Sequence, residues 1–136
     1  MKREVGAVEK KKKTIVVVED EAEQREALKL FLIAEGYDVL DFSSAEEALQ
    51  KLHTTKPDLL VSDIKLPGMD GITFFHEIKK INDLRSVPFF FISAFNDPQT
   101  IASIRATGAV DYITKPYELD EFLNVVVKSL SSPRRS

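Results

Sequence analysis

Five short apolar runs alternate with five amphipathic segments along this chain, and that alternation constrains the fold more than any other feature. The first run, Thr14 to Val18, is almost entirely β-branched, which is typical of a strand buried on both faces. Strands separated by helices pair in parallel, with right-handed crossovers. The sequence therefore predicts an open α/β sandwich with strands at 14–18, 39–42, 58–62, 89–92 and 110–113 and helices at 21–35, 45–53, 70–81, 98–106 and 118–130.

Residues at the predicted helix ends agree with this reading. Ser43 or Ser44 is placed to cap the second helix, because a hydroxyl oxygen accepts the free N–H groups of a first turn. Pro98 falls in the first turn of the fourth helix, where its missing N–H costs nothing. Gly36 and Gly108 follow the first and fourth helices and predict where they stop.

Length and composition exclude several classes of protein. The chain has 136 residues, which fits one domain. It has no cysteine, so disulfides, thiolate catalysis and Cys-ligated zinc are ruled out. Its apolar runs are far shorter than the roughly 20 residues that span a bilayer, and no signal-peptide core follows the first residues. We therefore expect a cytoplasmic domain without membrane contact.

Charge is distributed unevenly and suggests how the chain is organised. Residues 1–13 hold six basic and two acidic residues, and we interpret them as a basic disordered tail. We assign one domain to residues 14–130 and a short C-terminal tail to 131–136. Residues 14–132 carry 11 basic and 20 acidic residues, so the body is acidic. An acidic body argues against direct nucleic-acid binding and suits a domain that gathers carboxylates around a metal ion.

Polar residues follow four of the predicted strands at the points where the strands end. Glu19 and Asp20 follow the first strand, Asp63 the third, Ser93 the fourth and Lys115 the fifth. The carboxyl ends of parallel strands meet at one edge of the sheet, which is where open α/β sheets bind ligands. We therefore expect three carboxylates, one hydroxyl and one ammonium group to converge at this edge.

This set of groups indicates phosphoryl chemistry on a carboxylate. Three carboxylates repel one another unless a cation is present, and Mg²⁺ prefers oxygen ligands of this kind. The Lys115 ammonium suits a phosphoryl or carboxylate oxygen, and the Ser93 hydroxyl can donate to the same oxygens. An aspartate is a possible phosphoryl acceptor. Taken singly, the acids could cap a helix or form a turn and Ser93 could be a cap; their combination at one edge favours a site.

The resemblance to a known family rests on the residues around these positions. The segment 63–71 reads DIKLPGMDG, which looks like the phosphoacceptor pattern D-x-x-[LM]-P-x-M-[DN]-G. The pair at 19–20, Ser93-Ala94 and the segment 111–116, DYITKP, match the other elements of the same pattern. Over residues 14–130 the chain resembles the receiver domain of bacterial two-component response regulators.

The resemblance implies a fold and a function. The fold would be a flavodoxin-like three-layer sandwich with a five-stranded parallel sheet of order 2-1-3-4-5 and five helices. Asp63 would accept a phosphoryl group from a histidine kinase or phosphotransfer protein, which makes the domain a phosphoacceptor switch and not an enzyme. Its output would be a downstream protein target or a linked output domain.

The resemblance also implies a role for each residue of the site. Asp20, Asp63 and the backbone carbonyl of Lys65 would hold Mg²⁺, or Mn²⁺ in its place, while Glu19 would act through a water molecule. The phosphoryl group would be held by Ser93 and Lys115. The aromatic ring of Tyr112 would move inward as Ser93 moves, and the Lys115–Pro116 bond would be cis. The fourth helix, fifth strand and fifth helix would form the surface that changes.

Departures from the pattern and alternative classes remain open on sequence alone. The acidic pair is Glu-Asp instead of the commoner Asp-Asp, and residues after Leu130 are too few for an output domain, so a stand-alone regulator and an excised domain are both possible. A haloacid-dehalogenase-like phosphatase would need an acid where Lys65 stands. A flavodoxin-like electron carrier would need a phosphate loop where the acids at 19–21 stand. A receiver-like scaffold that is never phosphorylated is the fourth possibility.

Overall fold

The computed structural model describes residues 12–109 and 111–131. The predicted basic tail at 1–13 and C-terminal tail at 131–136 therefore lie almost wholly outside the described residues, and Ser131 belongs to the last helix. Within the described part of the chain, no helix is long and apolar enough to cross a membrane.

Strands and helices alternate as the sequence predicts. The strands are β1 (Thr14–Val18), β2 (Asp38–Phe42), β3 (Leu59–Asp63), β4 (Phe89–Ser93) and β5 (Asp111–Thr114). The helices are α1 (Ala22–Ala34), α2 (Ala45–Leu52), α3 (Gly71–Lys79), α4 (Pro98–Thr107) and α5 (Leu119–Ser131), with a short 3₁₀ helix at Asn82–Leu84.

All five strands are parallel and lie in the order β2-β1-β3-β4-β5, which confirms the predicted order 2-1-3-4-5. The register keeps the ends of the strands level: Val18 lies opposite Ser62, and Ser93 lies opposite Thr114. Asp63 pairs with Ile92 inside the ladder. The carboxyl ends of β1, β3, β4 and β5 therefore form one edge, as the sequence analysis expects.

Most predicted element boundaries differ from the structure by one residue at most, and the predicted end of the third helix differs by two. Val110, the predicted start of the fifth strand, lies outside the described residues. The third strand and third helix show the physical reasons for such differences. The third strand was expected at 58–62, but Asp58 closes the start of the ladder, where its N–H donates to the Thr14 carbonyl and its carboxylate accepts from the Thr14 N–H. The third helix was expected at 70–81, but Ile81 is extended (φ −91°, ψ 111°), so the helix ends at Lys79.

The sheet separates two apolar cores, one on each face. Helices α2, α3 and α4 cover one face, and α1 and α5 cover the other, which confirms the three-layer sandwich. On the first face the strands contribute Val16, Val18, Leu60, Phe89 and Phe91. On the second face they contribute Ile15, Val17, Leu59, Val61, Phe90, Ile92 and Ile113.

Side chains cap the helices largely where the sequence predicts. Ser44, and not Ser43, caps α2: its hydroxyl accepts from the Glu47 N–H at 3.2 Å. Asp97 caps α4 in the same way through the Thr100 N–H, directly before Pro98 at the first helical position. These caps fix where α2 and α4 begin relative to the strands before them.

One buried polar group in α5 has no partner. The hydroxyl of Ser129 is fully buried and makes no hydrogen bond within the described structure. A buried donor without a partner costs roughly 1–3 kcal/mol of desolvation, so Ser129 is a weak point of the α5 layer.

We expect Ser129→Ala to stabilise the domain by about 1 kcal/mol in urea denaturation, because it removes the unpaired hydroxyl and leaves only a small cavity in its place. Ser103→Ala in α4 is the matched control, since it brings the same gain in helix propensity but removes an exposed hydroxyl that donates to the Gln99 carbonyl. A Ser129→Ala variant no more stable than the control would contradict this prediction.

Candidate functional site at the carboxyl edge of the sheet

Strand alternation brings the predicted site residues together from two faces of the sheet. Glu19, Asp63 and Lys115 continue the rows that face α1 and α5, because each lies two residues beyond a core residue of that face. Ser93 lies two residues beyond Phe91 and so continues a row that faces α2 to α4. The site therefore straddles the edge of the sheet and contacts both layers.

Three carboxylates meet at this edge as predicted. One oxygen from each of Glu19, Asp20 and Asp63 lies within 4.8 Å of the other two. Glu19 is 1% exposed and Asp63 6% exposed, whereas Asp20 is exposed. Two buried acids and one exposed acid thus surround a small volume that opens to solvent on the Asp20 side.

The Lys115 ammonium group links the two buried acids. Its Nζ atom donates to Asp63 Oδ2 at 2.7 Å, to Glu19 Oε1 at 2.8 Å and to Gln24 Oε1 at 2.9 Å. An ammonium group has three N–H donors, so these three acceptors use all of them. The position of Nζ is therefore defined by groups from the β1–α1 loop, β3 and α1.

The pKa values at the site reflect burial and pairing. Burial raises the pKa of the Glu19 carboxyl above its ordinary value of 4.5, and the charge of Asp63 adds to this, while Lys115 and the Glu21 N–H oppose it. Partial burial lowers the pKa of Lys115, but its hydrogen bonds and ion pairs with Asp63 and Glu19 outweigh that effect and raise it to about 12. Lys115 is therefore a permanent cation at neutral pH.

Contacts from neighbouring elements fix the loop between β1 and α1. Arg25 donates from Nη1 to the Glu19 carbonyl at 2.8 Å, and its Nε lies 3.4 Å from Asp41 on β2. The Glu19 N–H donates to the Phe42 carbonyl at 3.1 Å. Glu19 is thus held by its backbone as well as by its side chain.

The loop between β3 and α3 is closed tightly at its base. The Gly71 N–H donates to the Ile64 carbonyl at 2.8 Å, and the Lys65 N–H donates to Asp63 Oδ1 at 3.2 Å. A Cβ atom at Gly71 would lie 2.2 Å from the Asp63 carbonyl oxygen, so only glycine permits this approach. The start of α3 therefore packs directly against the backbone of Asp63.

Ser93 forms a closed hydrogen-bonded turn with its own loop. Its hydroxyl accepts from the Phe95 N–H at 3.0 Å and donates to the Phe95 carbonyl at 3.1 Å, and the residue is fully buried. The Phe95 ring is 44% exposed, and Lys65 Nζ lies 5.5 Å from its centre. The Ser93 loop therefore reaches across to the β3–α3 loop at the mouth of the site.

Tyr112 and the loop after β5 complete the edge. Tyr112 is half-buried, lies opposite Phe91 in the ladder and packs against the core under α2 to α4. The Lys115–Pro116 peptide bond is cis, as the family resemblance implies. The Lys115 N–H donates to the Ser93 carbonyl at 2.7 Å, which joins the ends of β4 and β5.

A cavity of about 460 Å³ adjoins the site between α1 and the loop after β5. Its lining includes Gln24, Ala27, Pro116, Tyr117 and Leu119. Burial raises the pKa of the Tyr117 phenol to about 12, so this residue stays neutral at physiological pH. The cavity is thus a largely apolar depression with Lys115 at one end.

The structure brings the three predicted acids and Lys115 together, whereas the hydroxyl of Ser93, predicted to join them, is bonded to Phe95 in its own loop. Sequence reasoning misses the residues that support this cluster. The structure adds Gln24, which binds Lys115, and Arg25, which binds the Glu19 carbonyl. Their position in the sequence could have indicated them, because both residues lie in the first turns of the helix that follows the acidic pair and so near the same edge. Sequence gives no indication that the Gln24 amide would be the third acceptor of Lys115.

The fold and the site together define a doubly wound α/β domain with a cluster of carboxylates at the carboxyl edge of its sheet. The family model described as the response regulator receiver domain matches residues 15–127. The chain belongs to this family, which sets aside the phosphatase and flavodoxin alternatives and is consistent with two-component signalling.

Similar proteins carry this domain in different settings. The chain is 34% identical over 115 residues to the DNA-binding transcriptional regulator NtrC of Klebsiella pneumoniae, a match that covers 85% of this chain and about a quarter (24%) of that protein. The receiver domain of a signal transduction histidine kinase from Syntrophus aciditrophicus is 34% identical, with a TM-score of 0.83, covering 91% of this chain and 94% of that one.

A more distant structure shares the fold. The receiver domain of a sensor histidine kinase from Pseudomonas aeruginosa PAO1, described with a magnesium ion in its active-site cleft, is 23% identical. It has a TM-score of 0.83 and covers 90% of this chain and 100% of that one.

We expect Lys115→Met to destabilise the domain by about 3 kcal/mol at neutral pH, because it leaves Glu19 and Asp63 buried without their cation. A folded-state pKa above the unfolded value means that stability falls as pH rises through it. The pKa of Glu19 is already raised, and loss of Lys115 raises it further. The deficit should therefore be small below pH 4.5, the ordinary value for Glu19, and grow towards neutral pH.

Urea denaturation at several pH values measures this deficit. Lys128→Met is the control, because Lys128 is an exposed lysine whose Nζ lies 3.6 Å from Asp111, and its loss should cost less than about 1 kcal/mol. A deficit for Lys115→Met that does not change with pH would show that the acids do not depend on this cation.

Proposed function

We propose that this domain is a phosphorylation-controlled switch that accepts a phosphoryl group on Asp63 from a histidine kinase or a histidine phosphotransfer protein. The observation that carries the proposal is the setting of Asp63: a buried strand-end carboxylate, paired with Lys115 at 2.7 Å and within 4.8 Å of two further acids. On this proposal the domain is not an enzyme acting on a separate substrate, because Asp63 is itself the group that is modified.

The acidic cluster fits a hard divalent cation by the chemistry of its donors. We infer that Asp20, Asp63 and the backbone carbonyl of Lys65 hold Mg²⁺, with Glu19 acting through a water molecule. Mn²⁺ accepts the same oxygen ligands and should substitute. The magnesium ion described for the Pseudomonas aeruginosa receiver domain supports this assignment. When bound, Mg²⁺ screens the negative charge of the incoming phosphoryl group.

The residues of the chain account for the transfer step. A carboxylate oxygen of Asp63 forms a bond to phosphorus as the phosphorus–nitrogen bond of the donor phosphohistidine breaks, and the imidazole leaves with the electron pair. Lys115, a cation with a pKa of about 12, stays charged to bind a phosphoryl oxygen. The Ser93 hydroxyl donates to another of these oxygens.

Movement of Ser93 provides the switch. To donate to a phosphoryl oxygen, its hydroxyl must give up the hydrogen bond that it donates to the Phe95 carbonyl, because a hydroxyl has a single donor. Tyr112 lies on the same face of the sheet, two ladder pairs behind Ser93, and its ring fills the space that the moving loop vacates. The α4–β5–α5 surface changes as a result, at a coupling energy of the few kcal/mol usual between sites.

The partners follow from this chemistry. The phosphoryl donor is a histidine kinase or phosphotransfer protein, in the cytoplasm, and the changed surface controls a protein target or a linked output module. DNA binding is a property stated for the whole NtrC protein. The acidic body of this chain supports a domain that does not itself bind nucleic acid.

Incubation with acetyl phosphate and Mg²⁺ should add one phosphoryl group to the intact protein, as measured by mass spectrometry. Asp63→Asn should abolish the addition, because an amide oxygen is a poor nucleophile, whereas Asp120→Asn, at an exposed aspartate of α5, should leave it unchanged. Chelation of the metal should also prevent it. Equal modification of the Asp63→Asn variant would refute Asp63 as the acceptor, and a wild type that stays unmodified would favour a scaffold role.

The switch is tested by comparing NMR spectra or crystal structures with and without beryllofluoride, which mimics a phosphoryl group on a carboxylate. We expect the Ser93 hydroxyl to leave Phe95 and the Tyr112 ring to become buried. Ser93→Ala should still be phosphorylated but should show no movement of Tyr112. An unchanged Tyr112 ring in the wild-type complex would contradict the mechanism.

A further inference from the structure

We propose that Glu46 of α2 is a positioning residue for the cation site: its carboxylate holds the tip of the β3–α3 loop and thereby sets the backbone carbonyl of Lys65 for the metal. This inference rests on the proposed function, since it concerns the same site. It gives a role to a helix that contributes no side chain to the acidic cluster.

The first observation is a hydrogen bond between two elements. Glu46, in the first turn of α2, accepts from the Met69 N–H through Oε2 at 2.9 Å. The two residues are 23 positions apart in the chain, so the bond joins α2 to the loop that follows β3. This hydrogen bond lowers the pKa of Glu46, which therefore stays ionised and available as an acceptor at neutral pH.

The second observation is how closely the loop tip approaches this carboxylate. Gly68 has φ +75°, a conformation that side chains rarely adopt. A Cβ atom there would lie 2.5 Å from Glu46 Oε2. The Gly68 backbone thus lies directly against the Glu46 carboxylate, and a side chain at this position would push the carboxylate away from the loop.

The third observation is that the base of the same loop is already fixed at Asp63. The Gly71 N–H closes the loop on the Ile64 carbonyl, and the Lys65 N–H binds Asp63 Oδ1. Leu66 is buried, at 7% exposure, and anchors the middle of the loop in the core. With base and middle held, Glu46 supplies the restraint on the tip from outside the loop.

The consequence falls on Lys65, whose carbonyl belongs to the peptide between the bound base of the loop and buried Leu66, two residues before the tip at Gly68. Rotation of this peptide turns its carbonyl towards or away from the acidic cluster. Glu46 should therefore act on metal affinity and leave the chemistry of transfer unchanged once the metal is bound. Residues that orient metal ligands without binding the metal themselves typically contribute about tenfold or more to metal affinity.

The experiment titrates Mg²⁺ into the metal-free protein, follows amide chemical shifts by NMR, and separately measures the phosphorylation rate at saturating Mg²⁺. Glu46→Ala should weaken Mg²⁺ binding by about tenfold, and Glu46→Gln, which keeps an acceptor for the Met69 N–H, by about threefold. Rates at saturating Mg²⁺ should stay at the wild-type value. The matched controls are Glu47→Ala and Glu47→Gln, which remove the same charge from the same helical turn without touching the loop.

Each outcome decides the proposal. The graded loss in the Glu46 variants, with unchanged Glu47 variants, supports it. Unchanged Mg²⁺ binding in Glu46→Ala, beside normal wild-type binding, overturns it while the proposed function stands. Equal losses in Glu46→Gln, Glu46→Ala and the Glu47 variants would mark a general charge effect and also overturn it. Failure of the wild type to bind Mg²⁺ would refute both. Should Glu46→Ala not fold, the comparison of Glu46→Gln with Glu47→Gln decides.

Discussion

The rest of the site depends on the ion pairs that the ammonium group of Lys115 makes. This group lies 2.8 Å from Glu19 and 2.7 Å from Asp63, two acids that the fold buries almost completely. Buried carboxylates without a cation are costly, because burial removes the water that would stabilise their charge. Lys115 lets the chain keep two buried carboxylates beside each other. Arg25, Gln24 and the closed loops hold the backbone and the ammonium group around this pairing.

The positions of these groups follow from the geometry of strands. Residues two apart on a strand share a face, so the apolar rows through Val17, Val61 and Ile113 continue directly into Glu19, Asp63 and Lys115. A tightly packed core thus determines where the charged groups stand. Ordering the polar side chains costs little additional conformational entropy, because they extend from strands that the core already fixes.

Sequence reasoning was most successful for residues whose type and position in a strand permit few structural roles. Alternating apolar runs and strand-end acids predicted the parallel sheet and the edge where the three acids and Lys115 meet, and the order of the strands came from the family resemblance. The misjudged start of the third strand depended on a partner distant in the chain: Asp58 closes against Thr14, which no local pattern reveals. Gln24, Arg25 and Glu46 escaped notice for the same reason. Exposed polar residues on helices are common, and only the folded arrangement shows which of them reach across to a loop.

The division of the site between two faces of the sheet has a consequence for where other proteins can bind the domain. Glu19, Asp63 and Lys115 belong to rows shared with α1 and α5, and the cavity lined by Gln24 and Tyr117 opens on that side. Ser93 and Tyr112 belong to rows shared with the opposite layer. Under the proposed function, a phosphoryl donor that covers α1 would leave the layer of Ser93 and Tyr112 open to a recipient at α4. The α5 part of the changed surface would lie on the donor's side of the sheet, so a recipient that also needs α5 would compete with the donor.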